Sequence, residues 1–166
     1  MGHSEHTTVD YRATLEKVRA AVEREQDANA ALEAAVRTLK QHVADYTWVG
    51  IYLLYGNELV LGPFLGRLSP HARIPLGRGI CGAAAAEKAT IIVDDVNTDP
   101  RYLACSVDTR SEIVVPIMTD EEVLGEIDID SDRPAAFGSA DRELLEQVAA
   151  VLAPRVRASL GGKRPA

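Results

Sequence analysis

One stretch constrains this chain more than any other, residues 100–116, which read PRYLACSVDTRSEIVVP. A polar loop that carries Cys105 runs there straight into an apolar strand, with Glu112 at the mouth of that strand. The next strand ends in GEIDID, where Asp128 and Asp130 supply two more carboxylates. A thiol beside three carboxylates predicts a pocket that combines redox chemistry with the binding of a small cation.

The length and charge of the chain bound its class. Its 166 residues, 46% of them hydrophobic, suffice for one domain with a buried core. The net charge of −7 argues against nucleic-acid binding, which needs a basic face, and suits a protein that attracts cationic or zwitterionic small molecules. No apolar run approaches the roughly 20 residues that span a bilayer, and the amino terminus does not resemble a signal peptide. We therefore expect a cytoplasmic protein without a membrane partner.

The apolar spacing predicts a single domain over residues 1–166, without repeats or linkers. A flexible leader, two helices, a core sheet with a C-terminal helix, and a flexible tail should follow one another. Their predicted bounds are, in that order, 1–9, 10–44, 47–158 and 159–166. Asp10 and Ser139 are the expected N-caps of the first and last helices, and Pro154 should kink or end the last one. The expected class is α+β, with an antiparallel sheet of five or six strands between N- and C-terminal helices.

The first predicted strand has two unlike faces. Residues 47–55 (TWVGIYLLY) place Trp48 and Tyr52 on one side of a strand and aliphatic residues on the other. We expect the aromatic side to border an open space above the glycine between them. A Gly-Asn turn then leads to a partner strand at 58–61, and the Gly- and Pro-rich residues 62–78 should be largely loop.

Cys105 and Cys81 are the only two cysteines. Cys105 lies in a polar loop, where an accessible thiolate can act as a nucleophile, although a bystander cysteine explains it equally well. Cys81 lies in the first turn of a predicted helix at 79–88, and a helix N-terminus favours a thiolate. If the fold brings the two together, they suit attacking and resolving roles, while Cys81 alone is more often a small core residue. Without a second CxxC or clustered histidines, a zinc site is not expected.

Asp128 and Asp130 are two residues apart in an extended strand and face the same side. Their repulsion predicts that one of them keeps its proton near neutral pH. Such a pair can grip an ammonium group and hand a proton to a leaving oxygen. The alternative is a solvated acidic strand end that has no chemical role.

Taken together, these segments resemble one kind of GAF domain, the free methionine-(R)-sulfoxide reductases. The resemblance spans Trp48 to Ala153 and rests on six motifs in order. They are WVGIYLL, ELVLGPF, RIPLGRGICGAAA, the YLAC loop, SEIVVPI and GEIDIDS. GAF domains that bind cyclic nucleotides or sense other ligands share the fold but not this set of cysteines and acids. The resemblance implies a GAF fold, and a homodimer through the terminal helices is common among such domains.

The resemblance implies that the substrate is free methionine-(R)-sulfoxide. The family contacts the sulfoxide oxygen and the ammonium through acidic residues, and lines the sulfoxide and methyl with an aromatic wall. The matching residues here are Glu112, Asp128, Asp130, Trp48 and Tyr52. An enclosed pocket that reads the free ammonium would exclude a methionine sulfoxide inside a polypeptide.

The resemblance also implies a mechanism. The Cys105 thiolate, at the position of the catalytic cysteine, attacks the substrate sulfur while a carboxylic acid protonates the oxygen, and a sulfenic acid is left on Cys105. Cys81 would condense with it to a disulfide that thioredoxin reopens, and no metal, flavin or nicotinamide is expected to bind.

One position departs from the family pattern. Many members carry a further cysteine, often the resolving thiol, ten positions before Cys81, where this chain has His71. Three alternatives follow: Cys81 takes over the resolving role, an external thiol does, or activity is impaired. A separate hypothesis is that His71 lies near Cys105 and favours the thiolate form of Cys105. The alternative from another class of function is a non-catalytic GAF module that binds a small ligand or senses redox state.

Overall fold

The structure, a computed structural model, describes residues 8–104 and 106–160. Within these ranges the chain forms four α-helices and six β-strands. The helices are α1 Tyr11–Glu23, α2 Ala28–His42, α3 Gly79–Glu87 and α4 Ser139–Leu160. The strands are β1 Trp48–Tyr55, β2 Glu58–Leu65, β3 Arg73–Pro75, β4 Ile91–Val93, β5 Ser111–Thr119 and β6 Glu122–Ser131. Cys105 and most of the predicted leader and tail lie outside the described residues.

All six strands form one antiparallel sheet in the order β3-β2-β1-β6-β5-β4. The predicted α+β class and the predicted number of strands are confirmed. β1, β6 and β5 lie at the centre, and β5 and β6 form a hairpin around the tight turn at Asp120, which has a positive φ of 54°. The central three strands position every candidate site residue on the sheet.

The two faces of the sheet differ in chemistry. Aliphatic side chains such as Ile51, Ile113 and Ile127 form one core with α2 and α4, and α1 packs mainly on these two helices rather than on the sheet. The opposite face carries the polar and aromatic residues and is covered by α3 and by the loops that contain His71 and Leu103. The division of β1 into an aromatic and an aliphatic face is confirmed.

Two predictions about the strands were wrong. β2 runs to Leu65 rather than ending at residue 61, and β3 lies inside the segment predicted to be largely loop. Pro63 fits within β2 because the register with β1 shifts there. A proline lacks the N–H that a regular ladder requires, and an irregularity removes that requirement.

The terminal helices follow their predicted signals with two exceptions, at Ser139 and at Pro154. Ser139, expected as the N-cap of α4, is instead the first residue of that helix. The side chain of Asp10 accepts a hydrogen bond from the Ala13 N–H at 2.9 Å, which confirms the N-cap of α1. α4, however, does not end at Pro154 but continues to Leu160. Val156, beyond the proline, is fully buried, so packing against the core offsets the hydrogen bond that Pro154 removes. In the described ranges no helix combines the length and apolarity needed to cross a bilayer.

Candidate active site

Four acidic side chains lie on the polar face of the central sheet. On β6, Glu126, Asp128 and Asp130 alternate with core isoleucines and therefore share one face. On β5, Glu112 lies directly opposite Asp130. Glu126 was not predicted as a site residue, although the two-residue spacing that joins Asp128 to Asp130 leads back to it.

These four side chains, called the acid cluster below, are buried. Their exposed fractions are 4% for Glu112, 0% for Glu126, 2% for Asp128 and 3% for Asp130. The alternative of a solvated acidic strand end is therefore wrong. Both carboxyl oxygens of Glu126 and one oxygen each of Asp128 and Asp130 are buried without a hydrogen-bond partner in the described part of the chain. Because such groups are costly to bury, the cluster must share protons or receive a ligand.

Burial keeps protons on the acid cluster. Desolvation, then the charges of Asp128 and Asp130, raises the pKa of Glu112 well above its usual range, and hydrogen bonds to both raise it further. Desolvation and the charge of Asp128 likewise raise the pKa of Asp130. Desolvation raises the pKa of Asp128, but hydrogen bonds from Glu112 and Cys81 lower it. Glu112 is thus a neutral carboxylic acid whose single O–H is shared between the two aspartates, and Asp128 is the member that ionises most readily.

Cys81 meets the acid cluster from α3. Its Sγ and one carboxyl oxygen each of Glu112 and Asp128 all lie within 4.8 Å of one another, and the side chain is 6% exposed. Desolvation, followed by the charges of the four carboxyl groups, raises the pKa of the Cys81 thiol well above its usual range. The thiolate expected at this helix N-terminus is therefore wrong, because burial and negative charge outweigh the partial charge of the helix end.

The aromatic wall is formed by Trp48 and Tyr52, which pair across β1 and β6 with residues of the acid cluster. The indole of Trp48 lies over Gly50, where an added Cβ would come within 2.3 Å of the ring. The same ring stacks on Phe64 at a centroid distance of 5.7 Å. The space predicted to be open above the glycine is therefore occupied by the indole, and glycine is needed there to admit it.

Two loops are hydrogen-bonded above the wall. The Trp48 indole N–H donates to the carbonyl oxygen of Arg67 at 2.9 Å, and the Tyr52 hydroxyl donates to that of His71 at 2.8 Å. The Nε2 of His71 in turn donates to the carbonyl oxygen of Ala104 at 3.1 Å, which ties the first loop to the second. These contacts close the acid cluster from solvent.

Two small spaces lie beside the acid cluster in the described part of the chain. A cavity of about 20 Å³ lies beneath His71 and reaches Glu112 and Asp128. A second, of about 10 Å³, lies beside Trp48 and reaches Asp130. Each holds about one water molecule at most. A far larger groove of about 470 Å³ lies between α1 and α4 on the opposite side of the sheet. It contacts none of the acid-cluster residues, so the candidate active site is not in the larger groove.

The position of Cys105 relative to the acids stays a prediction, because this residue lies outside those described. Its chain neighbours are described: Ala104 accepts the hydrogen bond from His71, and Ser106 lines the cavity that reaches Asp130. The structure thus brings Trp48, Tyr52, Glu112, Asp128 and Asp130 together and adds Glu126 to them. It also places Cys81 beside these acids, whereas the sequence had Cys81 meet Cys105. The roles of these residues stay predictions.

Comparison with known proteins identifies relatives over most of the chain. Residues 27–156 match the GAF domain family. The chain is 38% identical to protein YtsP of Bacillus subtilis over 145 residues, which cover 86% of this chain and 88% of YtsP. It is 39% identical to the free methionine-R-sulfoxide reductase of Escherichia coli K12 over 114 residues, 69% of this chain and 68% of that protein. The free methionine-R-sulfoxide reductase of Neisseria meningitidis, solved with its substrate, superposes with a TM-score of 0.85 at 40% identity over 91% of this chain and 90% of that one.

Proposed function

The chain belongs to the GAF domain family and, within it, to the free methionine-R-sulfoxide reductases, and we propose that it reduces free methionine-(R)-sulfoxide to methionine. The observation that carries this proposal is the closed acid cluster, in which the neutral Glu112 is hydrogen-bonded to Asp128 and Asp130. Sulfoxide reduction needs a group that gives a proton to oxygen, and a zwitterionic amino acid needs a negative group for its ammonium. The acid cluster supplies both.

The free amino acid would bind through its ammonium and its apolar end. Asp128 and Asp130 each have an unpartnered oxygen that an ammonium could satisfy by charge-assisted hydrogen bonds. Trp48 and Tyr52 offer aromatic faces to the methyl and the sulfoxide. A methionine sulfoxide within a polypeptide has an amide in place of the ammonium and would leave the acids unpaired, so the proposed site favours the free amino acid.

Substrate entry requires the site to open. A cavity of about 20 Å³ is far too small for an amino acid, so side chains of the wall must move on binding. The Trp48 indole, held over Gly50 by its hydrogen bond to the Arg67 carbonyl, is the largest group that can vacate space beside Asp130. Binding would therefore exchange the indole contact for contacts with the ligand.

The proposed chemistry centres on Cys105. Its thiolate attacks the substrate sulfur while Glu112 gives its proton to the sulfoxide oxygen, since a protonated oxygen leaves far more easily than oxide. In the balance of the step, a thiol and a sulfoxide become a sulfenic acid on Cys105 and the sulfide of methionine. Two electrons pass from the cysteine sulfur to the substrate sulfur, and the oxygen passes the other way.

Two external thiols then reduce the sulfenic acid on Cys105 back to the thiol, with release of one water and oxidation of the two thiols to one disulfide. Cys81 is the resolving thiol that the sequence predicted, but its burial and raised pKa make it a poor nucleophile. We therefore favour direct attack by an external thiol, and a thioredoxin-type dithiol is the proposed natural donor. His71 in place of the family's further cysteine is consistent with this assignment.

The experiment that tests the function is formation of methionine from the separate R and S epimers of free methionine sulfoxide with dithiothreitol. Methionine sulfoxide with an acetylated amino group and an amidated carboxyl group is the matched control, because it lacks the free ammonium that the acids are proposed to bind. Turnover of the free R epimer alone supports the proposal. Tight binding of the R epimer without any methionine would instead identify a non-catalytic ligand-binding module.

A further inference from the structure

Cys81, Glu112 and Asp128 present a set of metal ligands. Their Sγ and carboxyl oxygens all lie within 4.8 Å of one another, on α3, β5 and β6. With metal–ligand bonds of about 2.0–2.3 Å, two ligands of one tetrahedral ion lie about 3.3–3.7 Å apart. Side-chain shifts of about 1 Å would therefore bring these atoms around a single ion.

A second observation points to a ligand at the same place. The Glu126 side chain is fully buried, and neither of its carboxyl oxygens has a hydrogen-bond partner among the described residues. Its pKa is raised by the charge of Asp128 and lowered by the Cys81 thiol, so the carboxyl group of Glu126 lies beside two members of the set of three. A cation bound there would satisfy oxygens that the protein leaves unsatisfied.

The ligand chemistry selects the cation. A thiolate favours Zn²⁺ and other soft or borderline ions over Mg²⁺ and Ca²⁺, which prefer oxygen ligands only. One sulfur with three carboxyl oxygens gives four ligands, the number that Zn²⁺ takes in tetrahedral sites. The sequence suggested no zinc site because it has neither a CxxC motif nor a histidine cluster; the fold brings in carboxyl groups from two other elements.

We propose that Cys81, Glu112 and Asp128, with Glu126 as the fourth ligand, bind one thiophilic divalent cation of the Zn²⁺ class, and that the ion blocks the pocket. The proposal that the ion blocks the pocket rests on the proposed function, whereas the proposal that the ion binds there does not.

The test uses Cd²⁺ and Zn²⁺ on the full chain carrying Cys105→Ser, in which Cys81 is the one remaining cysteine. Titration with Cd²⁺ should produce the ultraviolet thiolate-to-cadmium absorption at one ion per chain, and Zn²⁺ should displace it. Glu112→Gln and Glu126→Gln in the same background should weaken Cd²⁺ at least about tenfold, as loss of a ligand predicts. Glu121→Gln, an exposed acid in the β5–β6 turn, is the matched control and should bind as the background does.

Circular dichroism of each variant checks that it is folded, and the Asp128→Asn change provides a further isosteric variant. Absence of the thiolate band with folded protein, or Cd²⁺ affinity that is equal in Glu112→Gln, Glu126→Gln, Asp128→Asn and the background, would overturn the site. In the parent enzyme, Zn²⁺ should raise the KM for free methionine-(R)-sulfoxide and leave kcat unchanged. A lowered kcat at unchanged KM would overturn the blocking role, and failure of turnover altogether would leave the spectroscopic result intact.

Discussion

Glu112 and Asp130 lie directly opposite each other on β5 and β6, and a hydrogen bond joins their buried side chains. Two acids at this position can be hydrogen-bonded only if one keeps its proton. Burial raises the pKa of both, but their mutual hydrogen bond raises the pKa of Glu112 and lowers that of Asp130, which makes Glu112 the donor. Hydrogen bonding to Glu112 also lowers the pKa of Asp128, so the single O–H of Glu112 is shared between the two aspartates. The cross-strand register thus places a neutral proton donor against groups that can hold a cation.

Replacement of Glu112 by Gln tests the proton donor. The amide keeps the shape and neutrality of the side chain but has no acidic proton, so kcat should fall by about 10²–10⁴ while KM changes far less. Steady-state formation of methionine with dithiothreitol measures both parameters. Glu121→Gln on the exposed turn is the control and should keep the parent kcat. A Glu112→Gln enzyme with the parent kcat would remove Glu112 from the mechanism.

Replacement of Cys81 by Ser tests the resolving step. Because the Cys81 thiol is buried among acids and its pKa is raised, we expect this variant to turn over with dithiothreitol and with thioredoxin at close to the parent rate. Non-reducing peptide mapping of substrate-treated parent protein should find no disulfide between Cys81 and Cys105. Loss of thioredoxin-dependent turnover in the variant, together with that disulfide in the parent, would assign the resolving role to Cys81.

The acid cluster should make stability depend on pH. Burial, then the charge of Asp128, raises the pKa of Glu126 well above its usual range, so the folded state holds a proton that the unfolded chain loses above about pH 4.3. This contribution to stability is full below that pH and is lost as the pH rises through the folded pKa. Its slope is about 1.4 kcal/mol per pH unit for one proton.

The Glu126→Gln variant has one titrating group fewer. Urea unfolding of parent and variant between pH 5.5 and pH 8.5 should show a shallower loss of unfolding free energy in the variant as the pH rises. The difference between the two curves should therefore grow in favour of the variant toward alkaline pH. Parallel curves across this range would mean that Glu126 does not retain a proton in the folded state.

The hydrogen bond from His71 to the Ala104 carbonyl, immediately before Cys105, leads to a prediction about the thiol. If His71 favours the thiolate, His71→Ala should raise the pKa of Cys105, measured from the pH dependence of alkylation in a Cys81→Ser background. The hydrogen bond from Tyr52 to the backbone of residue 71 survives this change, so the first loop keeps that anchor. An unchanged thiol pKa would remove His71 from the activation of Cys105.

Local sequence patterns predicted helices and strands correctly where a single feature, such as strand alternation or a helix cap, was decisive. The alternation in GEIDID placed Asp128 and Asp130 on one face, and the Asp10 cap marked the start of α1. The signals failed where tertiary contacts overrode them. Pro154 lies within α4 because the residues around it are buried, and Pro63 lies within β2 because the register shifts there.

The site residues were predicted from their types, but their electrostatics depended on packing that a sequence does not reveal. Burial of Cys81 beneath carboxyl groups reversed the thiolate expected from the helix N-terminus. Glu126 was missed because it was read as part of the strand rather than as a third member of the acidic series. The indole of Trp48 fills the space above Gly50, which no spacing rule foresees.

The central claim is that one cysteine sulfur supplies the electrons to the substrate. The most direct measurement mixes the reduced protein with excess free methionine-(R)-sulfoxide without any reductant and counts methionine per chain. We predict one methionine per chain, one sulfenic acid trapped by a dimedone reagent on Cys105, and no methionine from Cys105→Ser. Methionine formation by Cys105→Ser at the parent level, or none from the parent, would contradict the account.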